Sequence, residues 1–287
     1  TADDLKNAKS AYENAKTAAE TALSTSTADA KTAQTSIAKN LASDTDVMAA
    51  NDKLQKLLDA PETSTKTAID AAVKALQNAE TAAEATLAAA KDSAAKNMPD
   101  TKPVSKETQV INAKTALENA IKDGSTASTA DIKNLQDALT NAIASAEKAR
   151  DAAMDTASDA LGSVTPDVSD RPEISAAMME LNTAIAAANG DTGTTADVAS
   201  ASAKLASLVA SAKQSLADVQ DSAKNALAKV PVNVQDDTKV QQAEAALQKA
   251  LGTDSTSTAT DIANAQAALA EAVAKAQDAL ATSTSNA

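Results

Sequence analysis

Cysteine, histidine, phenylalanine and tryptophan are absent from the 287 residues, and the single aromatic side chain is Tyr12. Without cysteine there are no disulfides and no thiolate metal sites. Without histidine or cysteine the commonest general base and the strongest nucleophile are missing. Without large aromatics a thick interior is hard to fill, because such side chains dominate core energetics. Glycine (five) and proline (six) are sparse, so long stretches run without a helix breaker. Arginine occurs only at 150 and 171, and acidic residues outnumber basic ones 39 to 26, for a formal charge of −13. That balance repels nucleic-acid phosphates and anionic membranes, and no run of 18 apolar residues could cross a bilayer. We therefore expect no nucleic-acid binding and no membrane insertion.

What remains is roughly one-quarter alanine, the best helix former, with Leu, Ile and Val. A stripe at offsets 0, 3, 7 and 11 occurs four times: Val47-Ala50-Leu54-Leu58, Val110-Ala113-Leu117-Ile121, Ile174-Ala177-Leu181-Ile185 and Val240-Ala243-Leu247-Leu251. The starts lie 63, 64 and 66 residues apart. Steps of three and four place all four side chains on one helical face. A second pattern begins 22 to 24 residues later, at Ile69, Ile132, Val198 and Ile262. Offset 3 holds Ala72, Leu135, Ala201 and Ala265, and offset 7 holds Leu76, Leu139, Leu205 and Leu269. Offset 14 is alanine throughout (Ala83, Ala146, Ala212, Ala276) and offset 18 is Leu87, Arg150, Leu216 and Leu280. Three copies run on through Ala94, Ala157 and Ala223 to Met98, Leu161 and Leu227. Such a stripe predicts a straight helix of about 30 residues, about 45 Å long. Each repeat is thus one short helix and one long helix.

The punctuation agrees. Pro99, Pro103, Pro166, Pro172 and Pro231 fall between a long helix and the next short one, and Pro61 follows the first short helix. Gly124, Gly190, Gly193 and Gly252 mark turns after short helices, and Gly162 closes a long one. Capping boxes are predicted at Ser128/Asp131, Thr194/Asp197 and Thr258/Asp261 for long helices, and at Asp170/Glu173 for a short one; Thr65 lacks the acidic partner. The first 44 residues read as two stripes, Leu5-Ala8-Tyr12-Ala15-Ala19 to Leu23 and Ala30-Ala33-Ile37-Leu41, broken at Ser24-Thr25-Ser26-Thr27. We read them as a shortened or capping unit.

A short helix covers only about half of a 45 Å partner. The economical arrangement overlaps: the second half of one long helix, the next short helix and the first half of the next long helix form a three-helix cross-section. The fold expected is all-α, an elongated tandem array of three-helix bundles with one short helix and one long shared helix per repeat, advancing about 20–30 Å each time. Compact hairpins folded side by side are the alternative. The boundaries are 1–44, 45–106, 107–169, 170–235 and 236–287.

The segment Val110 to Ala149, VINAKTALENAIKDGSTASTADIKNLQDALTNAIASAEKA, and equally Val240 to Ala279, resemble the FIVAR-type helical repeats of Gram-positive cell-surface proteins. The resemblance implies three-helix repeats in large adhesins, including extracellular-matrix-binding proteins, and an extracellular, cell-wall-anchored location. The polar Ser/Thr end and the start at Thr1 read as a piece of something longer. The function expected is a non-catalytic, rod-like stalk or spacer of a bacterial cell-surface adhesin. The alternative is an adhesive module for a host extracellular-matrix glycoprotein such as fibronectin. Besides neighbouring repeats of the same chain, possible partners are host matrix proteins, and the chain is expected to be a monomer.

No residue is assigned a catalytic, cofactor-binding or metal-binding role, and no cofactor is expected. Carboxylates fall on solvated faces or at helix N-termini, where they complement the macrodipole. Asp44-Thr45-Asp46 has the start of a calcium loop, but Ala49 stands where glycine is required; it reads as a helix start. Tyr12 lies on an apolar stripe and is read as a core residue. Arg150 interrupts a stripe, with its methylenes covering apolar surface and its head in water. Of the adjacent Met178 and Met179, at least one faces outward. The Ser/Thr clusters at 24–27, 125–129 and 253–258 read as loops with capping residues, with O-glycosylation the lesser alternative.

Overall fold

A computed structural model describes residues 1–252 and 255–285 of the chain, with no side chain described at 285. Among the described residues there is no strand. In chain order the α-helices are α1 (Ala2–Ser36), α2 (Thr45–Asp59), α3 (Lys66–Lys96), α4 (Thr108–Ile121), α5 (Thr129–Gly162), α6 (Pro166–Ser169), α7 (Pro172–Asn189), α8 (Thr195–Ala228), α9 (Thr238–Ala250) and α10 (Ala259–Ser285). A 3₁₀ turn, Val232–Val234, precedes α9. The four predicted short stripes lie on α2, α4, α7 and α9, apart from Leu251, which caps the end of α9, and the four long ones on α3, α5, α8 and α10. Met98 lies beyond the end of α3.

By internal packing the chain divides into two units: Thr1–Thr101 with Thr108–Ala144, and Lys102–Glu107 with Ser145–Ala287. In the first, α1, α2 and α3 touch one another and α3 also touches α4. Its buried side chains include Ala30 of α1, Leu41 in the turn before α2, Val47 and Leu54 of α2, Ile69, Ala72, Leu76, Ala83, Leu87 and Ala94 of α3, Val110, Leu117 and Ala120 of α4, and Ile132, Leu139 and Ile143 of α5. Polar ties run beside this core. Gln34 Nε2 donates to Asn51 Oδ1 at 3.0 Å and to Gln55 Oε1 at 3.1 Å, joining α1 to α2. Lys91 Nζ reaches the Lys122 carbonyl at 3.2 Å, a cation at the negative end of α4.

The second unit holds two clusters of buried side chains. One draws on Ala153, Ala157 and Ala160 of α5, Val168 of α6, Ile174, Ala177, Leu181 and Ala188 of α7, and Val198, Ala201, Leu205, Val209 and Ala212 of α8. The other draws on Leu216 and Ala223 of α8, Val230, Val234, Val240 and Leu247, and Ile262 and Leu269 of α10. Thus α8 gives one run of its stripe to the first cluster and the next run to the second. Alanines at the crossings leave room for close axes, and small side chains lose little on becoming ordered.

Local chemistry explains the ends. Ser128, Thr194 and Thr258 each accept from the backbone N–H three residues on, while Asp131, Asp197 and Asp261 accept from the cap N–H in return. Thr65 caps α3 through Ala68 N alone. Asp44 Oδ1 accepts from Asp46 and Val47 N–H and so opens α2, as read from the sequence; Asp237 does the same for α9. Gly124 adopts φ 76° after α4, a left-handed conformation that glycine takes without strain. Gly193 allows close approach: a Cβ there would sit 2.9 Å from Ala187 Cβ.

Three expectations are corrected. The N-terminal segment is one 35-residue helix, not two. Its Ser/Thr cluster lies inside α1 because the hydroxyls turn back on the helix: Thr25 Oγ1 donates to the Thr21 carbonyl at 3.0 Å and Thr27 Oγ1 to the Leu23 carbonyl at 2.9 Å. No glycine or proline interrupts the run, so nothing forces a break. Tyr12 is not a core residue; it is 66% exposed and Leu5 75%. The Asp170/Glu173 box does not form. Residues 166–169 make the unforeseen α6, Arg171 takes the cap position without a side-chain capping bond, its Nη2 donating instead to the Ala212 carbonyl at 3.4 Å, and Pro172 opens α7, where its missing N–H costs nothing.

Candidate interaction sites

Because most polar side chains sit at helix ends or on solvated faces, a site must be sought where one departs from that pattern. The first such place is Glu80 of α3, at offset 11 of the long stripe, where the other copies carry Ile143, Val209 and Val273. It is half-buried. Burial pushes its carboxyl above the ordinary range, and the neighbouring Glu84 charge adds to the shift. The sequence carried this signal, a charge in an apolar register, and the periodic reading passed over it.

The capping aspartates shift the other way. Asp131, Asp197 and Asp261 are held below the usual carboxylate range, each by the cap residue's backbone N–H and then by its hydroxyl. Asp4 is lowered by the N-terminal ammonium and by the Thr1 hydroxyl. Their electrostatics are thus used up in helix starts.

Arg150 lies in the second unit, half-buried on α5. Its Nη2 donates to Asn189 Oδ1 at 2.5 Å at the end of α7, Nη1 stands 3.8 Å from Asp151, and Nε has no partner. It ties the flank of α5 to the end of α7, and its head is only partly in water. Met178 packs against the first cluster while Met179 is 70% exposed, as adjacent helical positions require. Asp44 spends its carboxylate on the α2 N–H groups, so Asp44-Thr45-Asp46 is a helix start. Among the described residues no three acidic side chains converge as a metal-sized group, and no helix is long and apolar enough to cross a membrane.

The Ser/Thr clusters separate by location. Residues 24–27 are helical; 125–128 form a loop in which Ser125 Oγ accepts from Ala127 N and Ser128 caps α5, and Thr129 is the first residue of α5. In 253–258, Thr253 and Asp254 lie outside the described residues, Ser255 Oγ donates to Ser257 Oγ at 2.7 Å, and Thr258 caps α10.

Sequence reasoning missed a clasp in the second unit. The segment before α4 meets the turn between α7 and α8: Ser105 N–H and Oγ both donate to the Asp191 carboxylate, at 3.0 and 2.6 Å, and Thr195 N–H donates to Glu107 Oε1 at 2.6 Å. Glu107 therefore supplies an acceptor to the start of a helix 88 residues away. Asp191 holds a left-handed backbone, φ 57°, to present its carboxylate. No local pattern encodes such a pair.

Among the chain's concavities is one beside the long helices of each unit. One, of about 310 Å³ in the first unit, is lined by Asn40, Leu41, Asp44, Ala83, Ser128 and Lys133. Its charged members are engaged, Asp44 with the α2 start and Lys133 with Asp137. The other, of about 530 Å³ in the second unit, is a groove between α5 and α8 floored by Ala149, Ala153, Ala160, Ala199, Ala203 and Ala206. Neither brings together a nucleophile, a base and an oxyanion donor, the set that acyl-transfer chemistry needs. Comparison with protein-family models, with curated proteins and with solved structures finds no match.

Proposed function

We propose that the chain is a non-catalytic, rod-like spacer of a bacterial cell-surface adhesin, built as a tandem array of three-helix bundles in which each long helix serves two consecutive bundles. The observation that carries this reading is the division of α8: Val198 to Ala212 belong to one core, Leu216 and Ala223 to the next. A helix that gives successive stretches to successive cores propagates the array along its own axis. The 34 residues of α8 span about 51 Å and the 18 of α7 about 27 Å. Running up one and down the other advances the chain by about 25 Å per repeat. On this reading the radius of gyration is expected to be about twice the roughly 19 Å of a globule of the same length. Small-angle scattering on the monodisperse chain tests this. A radius of gyration near the globular value contradicts the spacer.

Successive small cores that share a helix, with solvated faces, suit a part that sets distance rather than one that performs chemistry. The wall-anchored, extracellular setting belongs to the same proposal and rests on the resemblance of residues 110–149 and 240–279 to surface-protein repeats. Adhesion to a matrix glycoprotein such as fibronectin is the second reading, favoured by the exposed Met179 on α7. Surface plasmon resonance against immobilised matrix proteins decides between them: saturable micromolar binding lost in Met179→Lys supports adhesion, and its absence leaves the spacer.

A further inference from the structure

The long helix α1 repeats the register of the other long helices from its first residue. Thr1 and Asp4 form a capping box, as Thr194 and Asp197 do for α8. Counting from that cap, Leu5, Ala8, Tyr12, Ala19 and Leu23 of α1 correspond to Val198, Ala201, Leu205, Ala212 and Leu216 of α8. Ala30 corresponds to Ala94, Ala157 and Ala223, and all four are fully buried. So the second half of α1 is covered as its counterparts are, and the first half is not: Leu5, Ala8, Tyr12 and Ala19 are exposed, while their α8 equivalents are buried. Lys16 falls at the offset that Glu80 occupies in α3, a position that tolerates a charge at half burial, and it leans toward Glu20 at 3.9 Å. In α3, α8 and α10 the corresponding first half is covered by the short helix before it: α2, α7 and α9. For α8 the cover is completed by the second half of the preceding long helix, α5.

We propose that the stripe Leu5-Ala8-Tyr12-Ala19 is a docking face for a helix pair of the kind this chain itself builds, the second half of a long helix followed by a short helix with an apolar 0/3/7/11 stripe. Tyr12 suits such a seam, since its ring fills the place of a leucine while its hydroxyl can reach the edge. The inference rests on the shared-helix reading and goes beyond it, by assigning an occupant to the one long stripe among the described residues whose first half lies open.

As the only aromatic residue, Tyr12 reports on this face directly by fluorescence and near-ultraviolet circular dichroism. Residues 145–193, which carry the α5, α6 and α7 part of the first cluster, are fused ahead of Thr1 of the full chain, so that the graft joins Thr1 as Gly193 joins Thr194. The expected result is a several-fold fall in acrylamide quenching of Tyr12, a new near-ultraviolet band and hydrogen-exchange protection across residues 5–20. A control graft with Ile174→Lys and Leu181→Lys in the added copy is expected to leave Tyr12 as accessible as in the parent. Equal quenching in parent and graft, with the added residues helical by far-ultraviolet circular dichroism, overturns the proposal. So does protection in the control, or a parent chain in which sedimentation shows a dimer that already buries Tyr12. Scattering from the parent separates the two levels: a globular radius removes the shared-helix reading itself, whereas an extended parent with an unprotected graft removes only the docking face.

Discussion

Replacing Gln214 by proline places a break between the two cores that α8 serves. Gln214 is exposed and its amide donates to Asp218 Oδ1 at 2.9 Å on the surface, so its side chain contributes nothing to either core. Ala212 is the last α8 member of one cluster and Leu216 the first of the next. Proline at 214 removes the N–H bond to the residue 210 carbonyl and clashes with that carbonyl, a cost of about 3 kcal/mol. If α8 couples two otherwise self-sufficient bundles, that cost falls on the coupling. Hydrogen exchange read by mass spectrometry should show amides 211–218 losing protection by about two orders of magnitude, since 1.4 kcal/mol is a factor of ten. Segments 198–206 and 219–227 should keep most of theirs, and denaturant unfolding should broaden or split. Loss of protection along all of α8 and α7 together would refute the reasoning, because it would make the second unit one indivisible core.

Other perturbations bear on single features. Leu181→Ala, at a side chain with no exposed surface, should cost about 3 kcal/mol by chemical denaturation and expose α7 amides first. Asp191→Ala loses both bonds to Ser105 and strains the left-handed backbone, costing about 2 kcal/mol; Asp191→Gly relieves the strain and should cost less, and equal losses would assign no role to the backbone. Glu80→Gln should raise stability at pH 7 by about 0.5 kcal/mol. The folded carboxyl is raised above 4.5, so the wild-type penalty is present above the folded value and vanishes as pH falls through it, and the two proteins should converge near pH 4. The capping aspartates act oppositely. Lowered below 3.8 in the fold, they stabilise above that value and lose their contribution as pH falls through the folded one. Melting temperature against pH should therefore drop less steeply below pH 4 in a triple Asp131→Asn, Asp197→Asn, Asp261→Asn variant than in the parent.

Much of the helix layout was legible because alanine-rich stripes leave few competing patterns. Val47 with Leu54, Ile174 with Leu181 and Ile262 with Leu269 are seven apart and buried, as two turns of helix demand. Helix starts were legible where an S/T-x-x-D box was present, and failed at Asp170, where Pro172 took over the start. The continuity of α1 was hidden because hydroxyl clusters are ordinarily loop signals, whereas back-bonded Ser and Thr are tolerated in a helix of otherwise strong formers. Tyr12 was misplaced for a different reason. A stripe fixes which face is apolar, and burial depends on a neighbour that the sequence of one helix does not name. The Ser105–Asp191 clasp, 86 residues apart, lies beyond any local rule.

The shared-helix claim is tested most directly by distances between equivalent points in successive repeats. The chain has no cysteine, so spin labels can be placed cleanly at Ala85, Lys148, Gln214 and Asp278, all exposed and all at offset 16 of their long helices. Pulsed electron-spin resonance on cysteine pairs should give about 25 Å for labels one repeat apart, about 50 Å for two and about 75 Å for Ala85 with Asp278, rising in proportion to repeat number. Distances that level off below about 50 Å, the breadth of a globule of this length, would contradict the account.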